Sequence, residues 1–107
     1  MRWFKLQYPH KIIFAIPNGG KRGIVTASIM KAEGTLKGVP DLFIPEPNIQ
    51  FHGLFIEMKY GKGKLTIEQT QMLSDLAQRG YEAKVCYSID DFITIVNNYL
   101  NNQISTC

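Results

Sequence analysis

Cysteine is scarce in this 107-residue chain. Its two cysteines, Cys86 in an apolar stretch and Cys107 at the last position, do not make a disulfide framework, so a reduced, cytoplasmic setting is expected. Long hydrophobic runs are missing too. No window approaches the roughly 20 apolar residues that cross a bilayer, and Met1-Arg2-Trp3-Phe4-Lys5 carries no apolar leader core. Histidine is limited to His10 and His52. Both lie near turns with no Cys or His at ligand spacing, which argues against a zinc site. Internal repeats and low-complexity segments are absent. Charge of one sign is not in large excess: 12 Lys and Arg against 9 Asp and Glu give +3. That balance is compatible with a nucleic-acid partner but is weak evidence for one.

What is present is one domain's worth of chain, residues 1–107, with 45% hydrophobic and 20% charged residues, ordinary for a soluble globular protein. Residues 2–8 suit a short amphipathic helix stopped by Pro9. The apolar run 12–16, ended by Pro17-Asn18-Gly19-Gly20, reads as a strand and turn. Residues 21–33 can be helical, with Gly34 as the stop. Strands are expected over 41–44 and 53–59, paired antiparallel through the proline-containing stretch 45–52. The spacing predicts a helix over 66–79 ended by Gly80, a strand over 82–87, and a helix over 89–100 capped by Ser88. The expected architecture is α/β, a small mixed central sheet flanked by helices.

Two segments concentrate the chemistry: Gly38-Val39-Pro40-Asp41-Leu42 and Phe55-Ile56-Glu57-Met58-Lys59. Glu57 and Lys59 are two apart and share one strand face, while Leu54, Ile56 and Met58 fill the other. Charges half-buried in such a setting must be paired or bind a metal. Asp41, on the neighbouring segment, supplies a second oxygen ligand. Phosphodiester hydrolysis needs charge neutralised at phosphorus and hydroxide made near neutral pH, and a Mg²⁺ held by carboxylates does both. Mg²⁺ takes one or two carboxylates and keeps several waters, which Asp41 and Glu57 match. The Met58 backbone carbonyl is a further candidate ligand, and Lys59 could orient or deprotonate water or hold a phosphate oxygen.

Other residues carry two readings. Glu33, at the end of the first long helix, could reach the same site or be a solvated carboxylate. Gln69 stands on the inner stripe with Met72, Leu73 and Leu76. It either closes a capping box with Thr66 or hydrogen-bonds Lys59, a metal water or a phosphate. Lys62 and Lys64 on the glycine-rich loop, Lys37 before Asp41, and Asn18, Lys21 and Arg22 after the first strand could grip a DNA backbone or be solvated. Ser88-Ile89-Asp90-Asp91 reads as a helix cap, not a catalytic cluster.

Taken jointly, Ile16-Pro17-Asn18-Gly19-Gly20, Glu33-Gly34, Gly38 to Leu42, Phe55 to Lys59, Leu65-Thr66-Ile67-Glu68-Gln69 and Gly80-Tyr81 resemble the PD-(D/E)XK nuclease superfamily, and within it the virus-type replication-repair nuclease domain, VRR-NUC. The resemblance spans about residues 10–100. It implies a Mg²⁺- or Mn²⁺-dependent nuclease with Asp41 and Glu57 as metal ligands and Lys59 as catalytic lysine. Glu33 and Gln69 match the motif's helix carboxylate and helix glutamine. Stand-alone members of this size are similar to phage and bacterial enzymes thought to act as homodimers on branched DNA such as four-way (Holliday) junctions. Ile67 departs from a proline common at that position and touches no chemistry. No recognition helix or zinc module for base readout is evident, which favours recognition of shape and backbone. Two alternatives stay open: a non-cleaving nucleic-acid-binding module, and a monomeric exonuclease or flap nuclease. Trp3, Phe4 and Tyr8 could form a dimer surface or pack on the core.

Overall fold

The computed structural model describes residues 1–17 and 36–102. The element order is α1 (Arg2–Gln7), β1 (Phe14–Ala15), β2 (Leu42–Ile44), β3 (Leu54–Met58), α2 (Ile67–Gln78), β4 (Glu82–Cys86) and α3 (Ile89–Asn101). The four strands lie in sequence order in one mixed sheet. β1 to β2 and β2 to β3 are antiparallel, and β3 to β4 is parallel. The helix expected over 21–33 lies outside the described residues.

Alternation along the strands divides the side chains between two faces. Ile44, Leu54, Ile56 and Cys86 turn to one face, where they are fully buried with Phe4, Phe92, Val96, Tyr99 and Leu100. α3 covers this face because Phe92, Val96, Tyr99 and Leu100 fall at i, i+4, i+7 and i+8, a single apolar stripe. Each fully buried Leu, Ile or Val contributes about 1.5–3 kcal/mol of transfer free energy. Phe4 brings α1 onto the same core, with Trp3 edge-on to Phe92 at 6.0 Å. Trp3 and Tyr8 pack against the cluster. α1 is therefore part of the core, and Phe4 has no free surface to offer a second copy.

The 45–52 connection is fastened to α3. Buried Asn48 accepts from the Gln50 and Phe51 amides at 2.9 and 2.8 Å and donates to the Tyr99 carbonyl at 3.2 Å. The Tyr99 hydroxyl donates to the Glu46 carbonyl at 2.6 Å. These bonds fix where the β2–β3 ladder begins, and so its register.

The opposite face carries Phe43 and Phe55, stacked at 4.3 Å between ring centroids, with Phe14 and Tyr81 edge-on to them. α2 packs beside this face, on β4. Its expected inner stripe of Met72, Leu73 and Leu76 is only half-buried. The helix starts at the Thr66–Gln69 capping box. It ends as expected at Gly80, whose φ of +92° lets the Gly80 and Tyr81 amides turn back to the Ala77 and Leu76 carbonyls. Observed strands are shorter than the apolar runs that announced them. In the run 12–16 only Phe14 and Ala15 pair with β2, although the Ile16 amide also bonds the Asp41 carbonyl at 2.7 Å.

Candidate active site

The β2–β3 register places Leu42 opposite Ile56, Phe43 opposite Phe55 and Ile44 opposite Leu54. Continued by one residue, it sets Asp41 opposite Glu57. Both then share the face of Phe43 and Phe55, away from the apolar core. Ladder parity tightens the pairing. The Lys59 amide bonds the Cys86 carbonyl on the β4 side, and the Met58 amide bonds Asp41 Oδ2 at 2.8 Å on the β2 side. Asp41 and Glu57 thus form a non-hydrogen-bonded cross-strand pair, the kind whose side chains stand closest. The residue opposite Met58 is Pro40, which has no N–H to offer the Met58 carbonyl. That carbonyl lies on the same side of the strand as the amide held by Asp41.

The site's electrostatics follow from this apposition. Glu57 is only 3% exposed. Its pKa is raised from 4.5 to about 7, first by burial, then by its hydrogen bond to Asp41 and the Asp41 charge, with Lys59 acting in the opposite direction. Lys59 Nζ lies 4.0 Å from Glu57 Oε2. Gln69 Nε2 donates to the same oxygen at 3.4 Å.

The capping-box reading of Gln69 is observed, and the other end of its amide meets Glu57, a partner that spacing did not name. Gln69 Oε1 accepts from the Thr66 amide at 2.9 Å, and its own amide donates to Thr66 Oγ1 at 3.1 Å, completing the capping box. Its Nε2 is then left to face Glu57. Spacing revealed the box but not that the far end of the amide reaches a strand 12 residues earlier in sequence.

Lys37, Lys62 and Lys64 are exposed, the latter two on the turn after β3 where the Gly63 amide bonds the Tyr60 carbonyl at 3.1 Å. Glu33, Asn18, Lys21 and Arg22 lie outside the described residues. Among the described residues no group of three His, Cys, Asp or Glu forms a metal cluster. Sequence reading proposed the Met58 carbonyl as a ligand and overlooked the Met58 amide, which holds Asp41 in place.

Two carboxylates facing each other at the end of the central β2–β3 ladder, one of them carrying a raised pKa through burial and repulsion, form a donor set that suits a hard, oxygen-preferring dication. Such an ion offsets both the burial and the Asp41 charge that raise the proton affinity of Glu57. Mg²⁺ needs no more carboxylates than these two.

A family model described as the VRR-NUC domain matches residues 3–90. A solved structure described as a VRR_NUC domain protein superposes with a TM-score of 0.74 at 32% identity, over 85% of this chain and 69% of that one. The comparison with curated proteins gives no match. No helix among the described residues is long and apolar enough to cross a membrane. Motif, sheet topology and family match agree, and the chain belongs to the VRR-NUC domain family of PD-(D/E)XK-type nucleases.

Proposed function

We propose that this chain is a divalent-metal-dependent DNA endonuclease, selective for branched DNA such as four-way junctions and acting as a homodimer. Residues 1–107 form one nuclease domain in this reading. The observation that carries the metal dependence is the Asp41–Glu57 pair, aligned by the ladder and raised in pKa on the Glu57 side. Asp41 and Glu57, with the Met58 carbonyl, would hold Mg²⁺ or Mn²⁺. The ion supplies charge neutralisation at phosphorus and a lower pKa for the attacking water.

The chain's own residues divide the remaining work. Lys59, beside Glu57, holds a phosphate oxygen or takes a proton from water. Gln69 fixes one Glu57 oxygen. Exposed Lys37, Lys62 and Lys64 contact the DNA backbone by charge, joined by Asn18, Lys21 and Arg22, while Glu33 supplies a further carboxylate. A two-fold dimer presents two such centres to two strands, which suits symmetric cutting of a junction.

The test is cleavage of labelled four-way junction, flap, single-stranded and duplex DNA, with Mg²⁺ or EDTA. The expected result is Mg²⁺-dependent cutting, strongest on the junction, that Asp41→Ala or Lys59→Ala removes with an unchanged circular dichroism spectrum. Binding without cutting in any divalent metal favours the non-cleaving module. A 12.2 kDa species by light scattering rules out paired cutting by a stable dimer.

A further inference from the structure

Tyr60, the residue after Lys59, is an aromatic ring mounted on a fixed turn beside the site. The Gly63 amide bonds the Tyr60 carbonyl at 3.1 Å, and Gly61 takes the φ of +58° that the turn requires. The ring is 76% exposed. Phe14, Phe43, Phe55 and Tyr81 pack on one another, whereas among the described residues Tyr60 stacks on no other ring.

A single exposed tyrosine calls for no explanation, but the space beside this one does. Tyr60 lines a cavity of about 380 Å³ together with Leu42, Met58, Ile89, Phe92 and Asp41. That volume lies within the range of small-molecule sites, ~300–1,000 Å³. Leu42 pairs with Ile56 and Met58 is two residues from it, so both side chains turn to the core face of the sheet. The cavity therefore sits under the end of the β2–β3 ladder, across β3 from Glu57 and Lys59, and Asp41 belongs to both places. Its walls suit a flat aromatic ligand.

Charge selects among such ligands. Lys59 precedes Tyr60, and exposed Lys62 and Lys64 follow it. A ring between cations matches a nucleic-acid strand, with phosphates on the lysines and a base on the ring. A base within continuous duplex must first be unstacked, a cost that is least for one already unpaired. We propose that this cavity receives one unpaired nucleobase next to the scissile phosphate, stacked on Tyr60. The proposal rests on the reading of Asp41, Glu57 and Lys59 as a nuclease centre, and it gives that centre a physical reason to prefer branched DNA.

The experiment compares the parent with Tyr60→Ala, Tyr60→Phe and Ile89→Trp, the last filling the cavity from a position 62% exposed. Each is titrated in EDTA, by fluorescence anisotropy, with an intact four-way junction and with junctions carrying one abasic residue at each position around the branch. Light scattering and melting temperature are recorded alongside. Tyr60→Ala should bind the intact junction about tenfold more weakly, the effect of losing one stacked base. At one position the abasic residue should weaken the parent by a similar factor and leave Tyr60→Ala unchanged, the coupling expected of two groups in contact. Tyr60→Phe keeps the ring and should match the parent, and Ile89→Trp should behave as Tyr60→Ala does. The inference fails if Tyr60→Ala and Ile89→Trp bind the intact junction as the parent does, or if every abasic residue costs parent and Tyr60→Ala the same. It also fails if Tyr60→Ala changes only the mass by light scattering, which assigns the face to a second copy of the chain. Base-dependent binding by a parent that cuts no DNA in Mg²⁺ overturns the nuclease reading and leaves the base site standing. A parent that binds no junction overturns both.

Discussion

Asp41 Oδ2 accepts the Met58 amide at 2.8 Å, so one carboxylate of the pair is anchored by the strand that carries the other. This bond takes up the Met58 amide, Pro40 has no N–H for the Met58 carbonyl, and the β2–β3 pairing ends where the acids face each other. Asp41 thus has a structural and an electrostatic role in one side chain. Asp41→Asn separates them. The amide oxygen can still accept from Met58, so folding should be retained, while the charge that helps raise Glu57 is gone. The Glu57 pKa should fall from about 7, read by a carbon NMR titration of its carboxyl. DNA cleavage should fall by about 100-fold or more, since a charged ligand contributes several kcal/mol of transition-state stabilisation.

Metal-free protein should show the cost of this pair in its pH profile. Folded Glu57 holds its proton to about pH 7, whereas the unfolded chain releases it near 4.5. The protonated carboxyl therefore stabilises the fold fully below about pH 4.5, and that contribution is lost as the pH rises through 7. Its full size is on the order of 3 kcal/mol. Glu57→Gln mimics the protonated form at every pH. In EDTA, its melting temperature should exceed that of the parent by a margin that widens from pH 5 to pH 7.5. A constant margin would show that Glu57 ionises normally.

How much of this was legible in the sequence depends on whether the signal was local. Caps and helical spacing announced α2 and α3 because Thr66, Gly80 and Ser88 act within a few residues of themselves. The shared face of Glu57 and Lys59 followed from strand alternation alone. Alternation could not say which residue Asp41 would meet. That depends on a register set by Asn48 and Tyr99, 51 positions apart in sequence. The fate of Phe4 was equally illegible, because its burial depends on where α3 lies. The oxygen end of the Gln69 amide closes the capping box that spacing announced, while its nitrogen end meets Glu57, which spacing did not name as a partner.

Lys59 opposes burial and the Asp41 charge in setting the Glu57 proton affinity. Lys59→Met keeps the aliphatic stem and removes the charge, so Glu57 should hold its proton to higher pH in the metal-free protein. The ion pair is long at 4.0 Å, and with a Glu57 pKa of about 7 the carboxyl can take up a proton at neutral pH when the lysine charge is removed, which limits the loss of stability. The melting temperature at pH 7 should therefore stay close to that of the parent while cleavage is lost. Carboxyl titration by NMR and a cleavage assay, run on one preparation, check both halves.

Stability can also be lowered without touching the chemistry. Asn48 is buried, and Asn48→Ala leaves the Gln50 and Phe51 amides without their side-chain acceptor and the Tyr99 carbonyl with only the Asn102 amide as donor. Unsatisfied groups of this kind cost about 1–3 kcal/mol each, so the urea midpoint should fall by an amount matching at least one of them. Cleavage measured well below the melting temperature should match the parent. A large loss of kcat in this variant would mean that the β2–β3 register, and with it the Asp41–Glu57 pairing, has shifted.

Gly38 offers the reverse case, a substitution whose main effect should fall on the site. Its φ of +84° is disfavoured for any residue with a Cβ and costs about 1–2 kcal/mol on its own. The added methyl would also meet the Glu68 carbonyl at 2.5 Å, so either the segment leading to Asp41 or the first turn of α2 must move. Neither partner is the far end of a flexible side chain, and the strain cannot be relieved by a rotamer change. Whichever backbone yields, the distance from Gln69 Nε2 to Glu57 Oε2 changes with it. Gly38→Ala should therefore lower both the melting temperature and kcat, and it should shift the Gln69 side-chain amide resonance although residue 38 touches neither carboxylate. A variant that melts lower yet cuts at the parent rate would show that α2 and the Asp41 segment can part without disturbing the catalytic pair.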